Sequence, residues 1–124
     1  VNVCREEASV ITAAVERDQG ISLGRTSHRL RNPGNAPRAW TRPYVDAANG
    51  KQAAGVEAIA VDLGDRVGVL RPIPTVAVCT TCHGSTATMA PELLETILAA
   101  YPQDQATGFT EGELRGFFWA EVKK

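Results

Sequence analysis

Apolar and polar positions recur along this chain with two different periods, and the switches between them predict its elements. Over residues 2–19, Cys4, Ala8, Ile11 and Val15 fall at i, i+4, i+7 and i+11, one apolar stripe of a helix. Glu6, Glu7, Glu16 and Asp18 mostly lie off that stripe, and Gly20 is a fitting stop. Cys4 is thereby expected on the core-facing side of the first turn. Residues 21–35 hold no period and read as irregular or partly extended, closing in the turn cluster Asn32-Pro33-Gly34-Asn35. Pro37 fits the first turn of a second helix and Pro43 interrupts it, which predicts two short pieces between 37 and 49, ended by Asn49-Gly50. Residues 56–62 then read as a strand and 66–71 as its partner, with Gly64-Asp65 as a tight turn and Pro72 and Pro74 closing the second strand. A third long helix is expected from 91 to 101. Pro91 suits its first turn, Glu92 and Glu95 its positive end, Leu94, Ile97, Leu98 and Tyr101 its apolar face, and Pro102 its stop. Leu114 to Val122, with Phe117, Phe118 and Trp119, reads as a final strand. Helix, hairpin, helix, strand in this order predicts an α+β fold, a small antiparallel sheet flanked by helices.

Composition narrows the picture little. The 124 residues fit a single domain, 1–124, able to bury about two-thirds of its unfolded surface. A formal net charge of −1 carries no bulk electrostatic pointer to nucleic acid. No apolar run approaches the ~18 residues of a membrane span. No Ser-His-Asp set, phosphate loop or paired carboxylates stand out, so the chain does not read as an enzyme.

The chemistry sits at Cys79-Thr80-Thr81-Cys82-His83, the Cys-x-x-Cys-His signature of covalent haem attachment. Two thiols at this spacing add to the two haem vinyl groups, and the following imidazole reaches the iron as proximal ligand. Gly84 lets the backbone pass close to the macrocycle. A bare Cys-x-x-Cys also fits a redox pair or half a zinc site; the adjacent His and the absence of a second Cys pair favour haem. One haem c, attached through Cys79 and Cys82, is the expected cofactor. Such attachment takes place outside the cytoplasm, so periplasmic or other export is expected, with a signal peptide or anchor removed. Of three cysteines, Cys4 is left over. An odd thiol in an exported protein asks for a reason: a buried inert group, an intermolecular disulfide or a metal ligand.

Several stretches together are similar to one bacterial family, the thiolate-ligated c-type haem domains with a PAS-like fold, once catalogued as a domain of unknown function. They are Cys4-Arg5, Arg31-Asn32-Pro33-Gly34-Asn35-Ala36-Pro37, Cys79 to Gly84, Tyr101-Pro102-Gln103-Asp104-Gln105-Ala106-Thr107-Gly108, and Gly112-Glu113-Leu114-Arg115-Gly116. The resemblance spans nearly the whole chain in order. It implies a PAS-like scaffold, His83 as proximal ligand and the Cys4 thiolate as distal ligand, and a role as redox or gas sensor. The family occurs alone or fused to signalling modules, which leaves a tether to a membrane or such a module open.

For the sixth ligand, the residues alone offer Cys4, His28, Met89, a lysine or none. Cys4 is the choice, as the spare cysteine, on an apolar helix face, where the family puts its ligand. His28 lies in an arginine-rich stretch and reads as a surface or propionate-side residue. Met89 follows His83 too closely to reach the opposite haem face and reads as packing. Between Gln19 and Val45 there is no acidic residue but Arg25, Arg29, Arg31, Arg38 and Arg42. Arg31, inside the family segment, is expected to pair with haem propionates, with Arg29 the weaker candidate. Tyr101 is the expected pocket aromatic. The reading is a sensor that exchanges its ligand at Cys4, its partner a small gas (CO or NO) or a redox partner protein. A low-potential electron carrier without ligand exchange is the alternative.

Overall fold

The computed structural model describes residues 6–124; Cys4, the expected distal ligand, lies outside the described residues. Four strands, β1 (Ser22–Thr26), β2 (Ile59–Asp62), β3 (Arg66–Pro74) and β4 (Leu114–Lys123), form one antiparallel sheet in the order β1-β4-β3-β2. Helices α1 (Ala8–Gln19), α2 (Arg42–Ala47), α3 (Thr80–His83) and α4 (Pro91–Ala100) flank it. This is the α+β arrangement expected from the sequence. No helix among the described residues is long and apolar enough to cross a membrane.

Alternation sets the two sheet faces. Leu70 on β3 and Phe117 on β4 are buried with Val45 and Ala48 of the α2 segment and Leu114, and Trp40, Ile59 and Trp119 pack around them. Phe118, Val69 and Val122 stand on the opposite face and stay exposed. The β2–β3 turn closes as expected: Gly64 takes a left-handed φ of 94° and the Leu63 N–H donates to the Arg66 carbonyl at 2.9 Å. The buried Glu121 carboxylate is satisfied from three sides, by Trp40 Nε1 at 2.9 Å and by Arg38 and Arg66, each at 3.2 Å.

Four elements depart from expectation. Residues 22–26, expected irregular or partly extended, form a regular strand, β1; its side-chain pattern is weak because Gly24 lies under the Trp119 indole, 2.7 Å from where a Cβ would stand. Strand β3 runs on through Pro72 and Pro74. Pairing with β2 ends at Leu70, so beyond it β3 is an edge strand, the setting in which a sheet tolerates proline. Pro43 lies in the first turn of α2 and starts that helix instead of breaking one, since its missing N–H costs nothing there. Finally, α1 does not bury the Ile11/Val15 stripe: Ile11 is 61% and Val15 37% exposed. Its inner face carries Ala8, Thr12 and Glu16, and the Glu16 carboxylate accepts the Leu23 N–H at 3.0 Å. That polar tether outranks the apolar stripe in orienting the helix. It leaves an open cleft of about 510 Å³ lined by Ala8, Thr12, Glu16, Gly24, Arg38 and Trp119.

Candidate functional site

Strands β3 and β4 are neighbours, yet residues 75–113 leave the sheet between them and return. That excursion carries the Cys-x-x-Cys-His segment. A 3₁₀ turn (Ala77–Cys79) runs into α3, so both cysteines and His83 fall within about two helical turns. The Gly84 N–H donates to the Thr80 carbonyl at 2.9 Å, and a Cβ at position 84 would collide with that same oxygen. Only glycine allows so tight an exit directly after His83. Cys79 and Cys82 are free thiols, each half-buried. The three side chains are not gathered to hold an ion among themselves.

His83 is oriented by the backbone. Its Nδ1 lies 2.8 Å from the Ala106 carbonyl. A carbonyl can only accept, so Nδ1 carries the proton and Nε2 keeps its lone pair. This is the arrangement that fixes ring and tautomer in metal-ligating histidines. The motif is further stitched to the 104–109 loop by Phe109 N–H to the His83 carbonyl and Gly108 N–H to the Gly84 carbonyl, both 2.8 Å. Arg31 clamps the same junction. Its guanidinium donates to the carbonyls of Cys82 (2.5 Å) and Ala106 (3.2 Å) and pairs with Asp104 at 3.0 Å. The Asp104 side chain is 2% exposed, and its other oxygen accepts the Ala106 N–H at 2.9 Å.

Phe109 is the hub of the opposite wall. The Arg29 guanidinium stacks 3.6 Å above its ring and that of Arg115 stands 5.0 Å away. His28 and His83 meet the ring edge-on at 6.0 and 6.3 Å. Arg29 is compensated by Glu113 at 2.9 Å. Arg115 finds only neutral partners, the Ser27 hydroxyl at 3.2 Å and the Arg29 carbonyl at 3.5 Å. His28 Nδ1 and Arg31 Nε are buried with no hydrogen-bond partner.

Electrostatics keep both imidazoles neutral. Burial, reinforced by the Arg115 charge, pushes His83 down to about 4. His28 is also lowered, first by burial and then by Arg29 and Arg115. A lowered pKa means that the folded chain binds fewer protons than the unfolded chain between the two values. For His83 with its Nε2 free, stability is therefore full above pH 6.5 and is lost as pH falls towards 4. Thermal unfolding of the chain carrying no cofactor should show Tm falling across that window, and a His83→Gln/His28→Gln chain should lose most of the dependence.

Of the residues expected at the site, Cys79, Cys82, His83 and Arg31 come together, Arg31 reaching the motif through backbone carbonyls. Tyr101 directly follows α4, and its carbonyl accepts the Asp104 N–H at 3.0 Å. Met89 is buried. His28 sits against Phe109 rather than on the surface. Asp104, Phe109, Glu113 and Arg115 belong to the site without having been singled out. Asp104, Glu113 and Arg115 lie inside the quoted segments as charged residues, which was the signal that could have found them; Phe109 lies between two segments and gave none.

Comparison with known proteins follows the same lines. A search of curated protein sequences returns no match. Among solved structures, the chain is similar to the one described as "Crystal structure of the cyanobacterial heme-protein Tll0287". The TM-score is 0.76 and the identity 24%, over 92% of this chain and 68% of that one. At that identity the likeness is one of fold. The family model described as Tll0287-like matches residues 2–122. That match covers every segment on which the resemblance was read, and the chain belongs to the Tll0287-like family.

Proposed function

We propose that this chain is a c-type haem protein on a PAS-like scaffold, with one haem bonded through Cys79 and Cys82, His83 and Cys4 as axial ligands, and a role as a redox or gas sensor. The observation that carries it is the His83 imidazole, neutral, with Nδ1 on the Ala106 carbonyl and Nε2 free, at the end of the continuous turn-and-helix segment that holds two unpaired thiols. The donor set fits the group: two thiols for the vinyl carbons, one neutral nitrogen for iron, and surplus buried cationic donors for carboxylates. Exposed Val76 and Val78 beside Cys79 offer an apolar apron for the macrocycle. The family match and the described fold of a heme-protein support the same reading.

When bound, the haem supplies a one-electron couple and, once a ligand is given up, a place for a diatomic gas. The protein's part is ligation and protonation. The Ala106 carbonyl keeps the His83 proton on Nδ1. Cys4 as a thiolate favours the ferric form and a low potential; a proton taken up on its Sγ weakens it as a ligand and favours release. Cys4 precedes α1 by four residues, and α1 stands off the sheet over an open cleft. Its release therefore acts on a helix with no buried residue among those described, which makes α1 the natural moving part. Export to the periplasm belongs to the same reading, because haem attachment of this kind occurs there.

The test is expression with export and a haem-attachment system. One haem should remain on the chain under denaturing mass spectrometry and be absent from Cys79→Ala/Cys82→Ala. A wild-type chain without it sinks the proposal. Cys4→Ser should then change the low-spin ferric spin-resonance signal; an unchanged signal removes Cys4 as ligand. If the reduced protein keeps both ligands and ignores CO and NO, it is an electron carrier, not a gas sensor.

A further inference from the structure

We infer that Arg115, which no sequence expectation singled out, is the propionate-binding residue of this chain, forming with His28 and Arg31 Nε a carboxylate-recognition wall beside the motif. The inference rests on the haem reading above and deepens it. The starting point is charge counting in a half-buried space. Three guanidinium groups surround the 104–109 loop, and two of them have carboxylates, Arg29 with Glu113 and Arg31 with Asp104. Arg115 has none among the described residues. Its hydrogen-bond partners are a hydroxyl and a carbonyl, which carry no counter-charge, and the Asp104 carboxylate held by Arg31 acts on it only from beyond ion-pair distance.

Leaving such a charge in a poorly solvated place is costly unless something anionic completes it. The same wall holds two further deficits. His28 Nδ1 and Arg31 Nε are buried without a partner, although native structures pair nearly all such atoms. The two nitrogens share one character: Arg31 Nε is a donor, and His28 Nδ1 is one in the tautomer that carries its proton there, while Asp104 Oδ2, also buried without a hydrogen bond, already faces Arg31 at 3.0 Å. A group made of anionic oxygens satisfies both nitrogens and the Arg115 charge, and guanidinium is the side chain best matched to carboxylate by its forked geometry. Arg115 also stands against Phe109, the ring on which His83 packs, so it is within the reach of whatever His83 holds. Burial, then the charges of Arg31, Arg25 and Arg29, push Arg115 down to about 10 against a partial offset from Asp104, in keeping with a cation that has no carboxylate of its own.

Arg31, the residue chosen from sequence, then has the complementary duty. Its terminal nitrogen is committed to Asp104 and to the Cys82 and Ala106 carbonyls, which positions the motif, while its buried Nε keeps a donor without a partner.

The experiment uses the haem-loaded protein, with Arg115→Gln and Arg115→Lys compared to wild type. Covalent attachment through the cysteines keeps the haem in place in all three, so haem content by mass reports the haem reading and nothing else. In Arg115→Gln the loss of a cation near the iron should favour the ferric state. A shift of roughly tenfold in the reduced-to-oxidised ratio is expected, about 59 mV lower for a one-electron couple. The propionate bending band in the resonance Raman spectrum should move as well. Arg115→Lys should restore the potential but not the band, because an ammonium keeps the charge and loses the fork. Should Arg115→Gln fail to fold, the band in Arg115→Lys decides alone. Haem attached in full, with potential and band as in wild type, overturns the inference and leaves Arg115 a structural residue. A wild-type chain without haem overturns the reading beneath it instead.

Discussion

Asp104→Ala should lower the unfolding free energy by about 3–5 kcal/mol, the range for stripping one partner from a buried ion pair. The large value follows from burial: Asp104 is 2% exposed and Arg31 14%, so water cannot replace the lost carboxylate. Asp104 also accepts the Ala106 N–H, which would be left without its partner. Domains of this size hold roughly 5–15 kcal/mol in all, so the variant should sit close to the edge of folding. Asp104→Asn should cost less, because its amide oxygen still accepts from Ala106 while its charge is gone. Urea unfolding of the three chains measures both steps. A loss below about 1 kcal/mol for Asp104→Ala would put the pair in the class of water-screened surface bridges.

His83→Gly should abolish the low-spin ferric spectrum completely while leaving the haem on the chain, on the reading proposed above. Attachment and ligation are separate jobs: Cys79 and Cys82 hold the group covalently, and only His83 offers its Nε2. Removing the imbalance between these roles gives a rescue test. Imidazole added to the His83→Gly protein should enter the space vacated by the ring, accept orientation from the Ala106 carbonyl, and restore the low-spin signal. A variant whose absorption and spin-resonance spectra match wild type before any imidazole is added would show that His83 is not the ligand. Loss of the haem itself would mean that the His83 side chain is needed for attachment.

Which parts of this were legible in the sequence follows from how local each feature is. The motif is five contiguous residues, and α4 announces itself by Pro91, its apolar stripe and Pro102. The β2–β3 turn declares itself through Gly64. Strand β1 could not be seen, because its reason for existing is on another strand: Gly24 has no side chain so that Trp119 can cover it. The same holds for β3, whose prolines look like terminators until the short reach of β2 is known. On α1, periodicity named a plausible stripe, and a single carboxylate–backbone bond from Glu16 to Leu23 turned the helix another way. At the site, Asp104 and Arg115 were inside quoted segments, but pairing is a three-dimensional fact; only the structure tells which arginine has an acid and which lacks one.

The stitching of the site has a consequence for the order in which this chain assembles. Arg31 reaches Cys82 across 51 residues and Ala106 across 75, Arg29 reaches Glu113 across 84, and Ser27 reaches the Arg115 carbonyl across 88. Contacts so distant in sequence carry the greatest loop-closure cost and form late. The turn-and-helix segment holding Cys79 and Cys82, in contrast, is closed by neighbours within a few residues. The local turn that spaces the two thiols can therefore form before the long-range contacts that finish the site. Chemistry at those sulfurs does not have to wait for them.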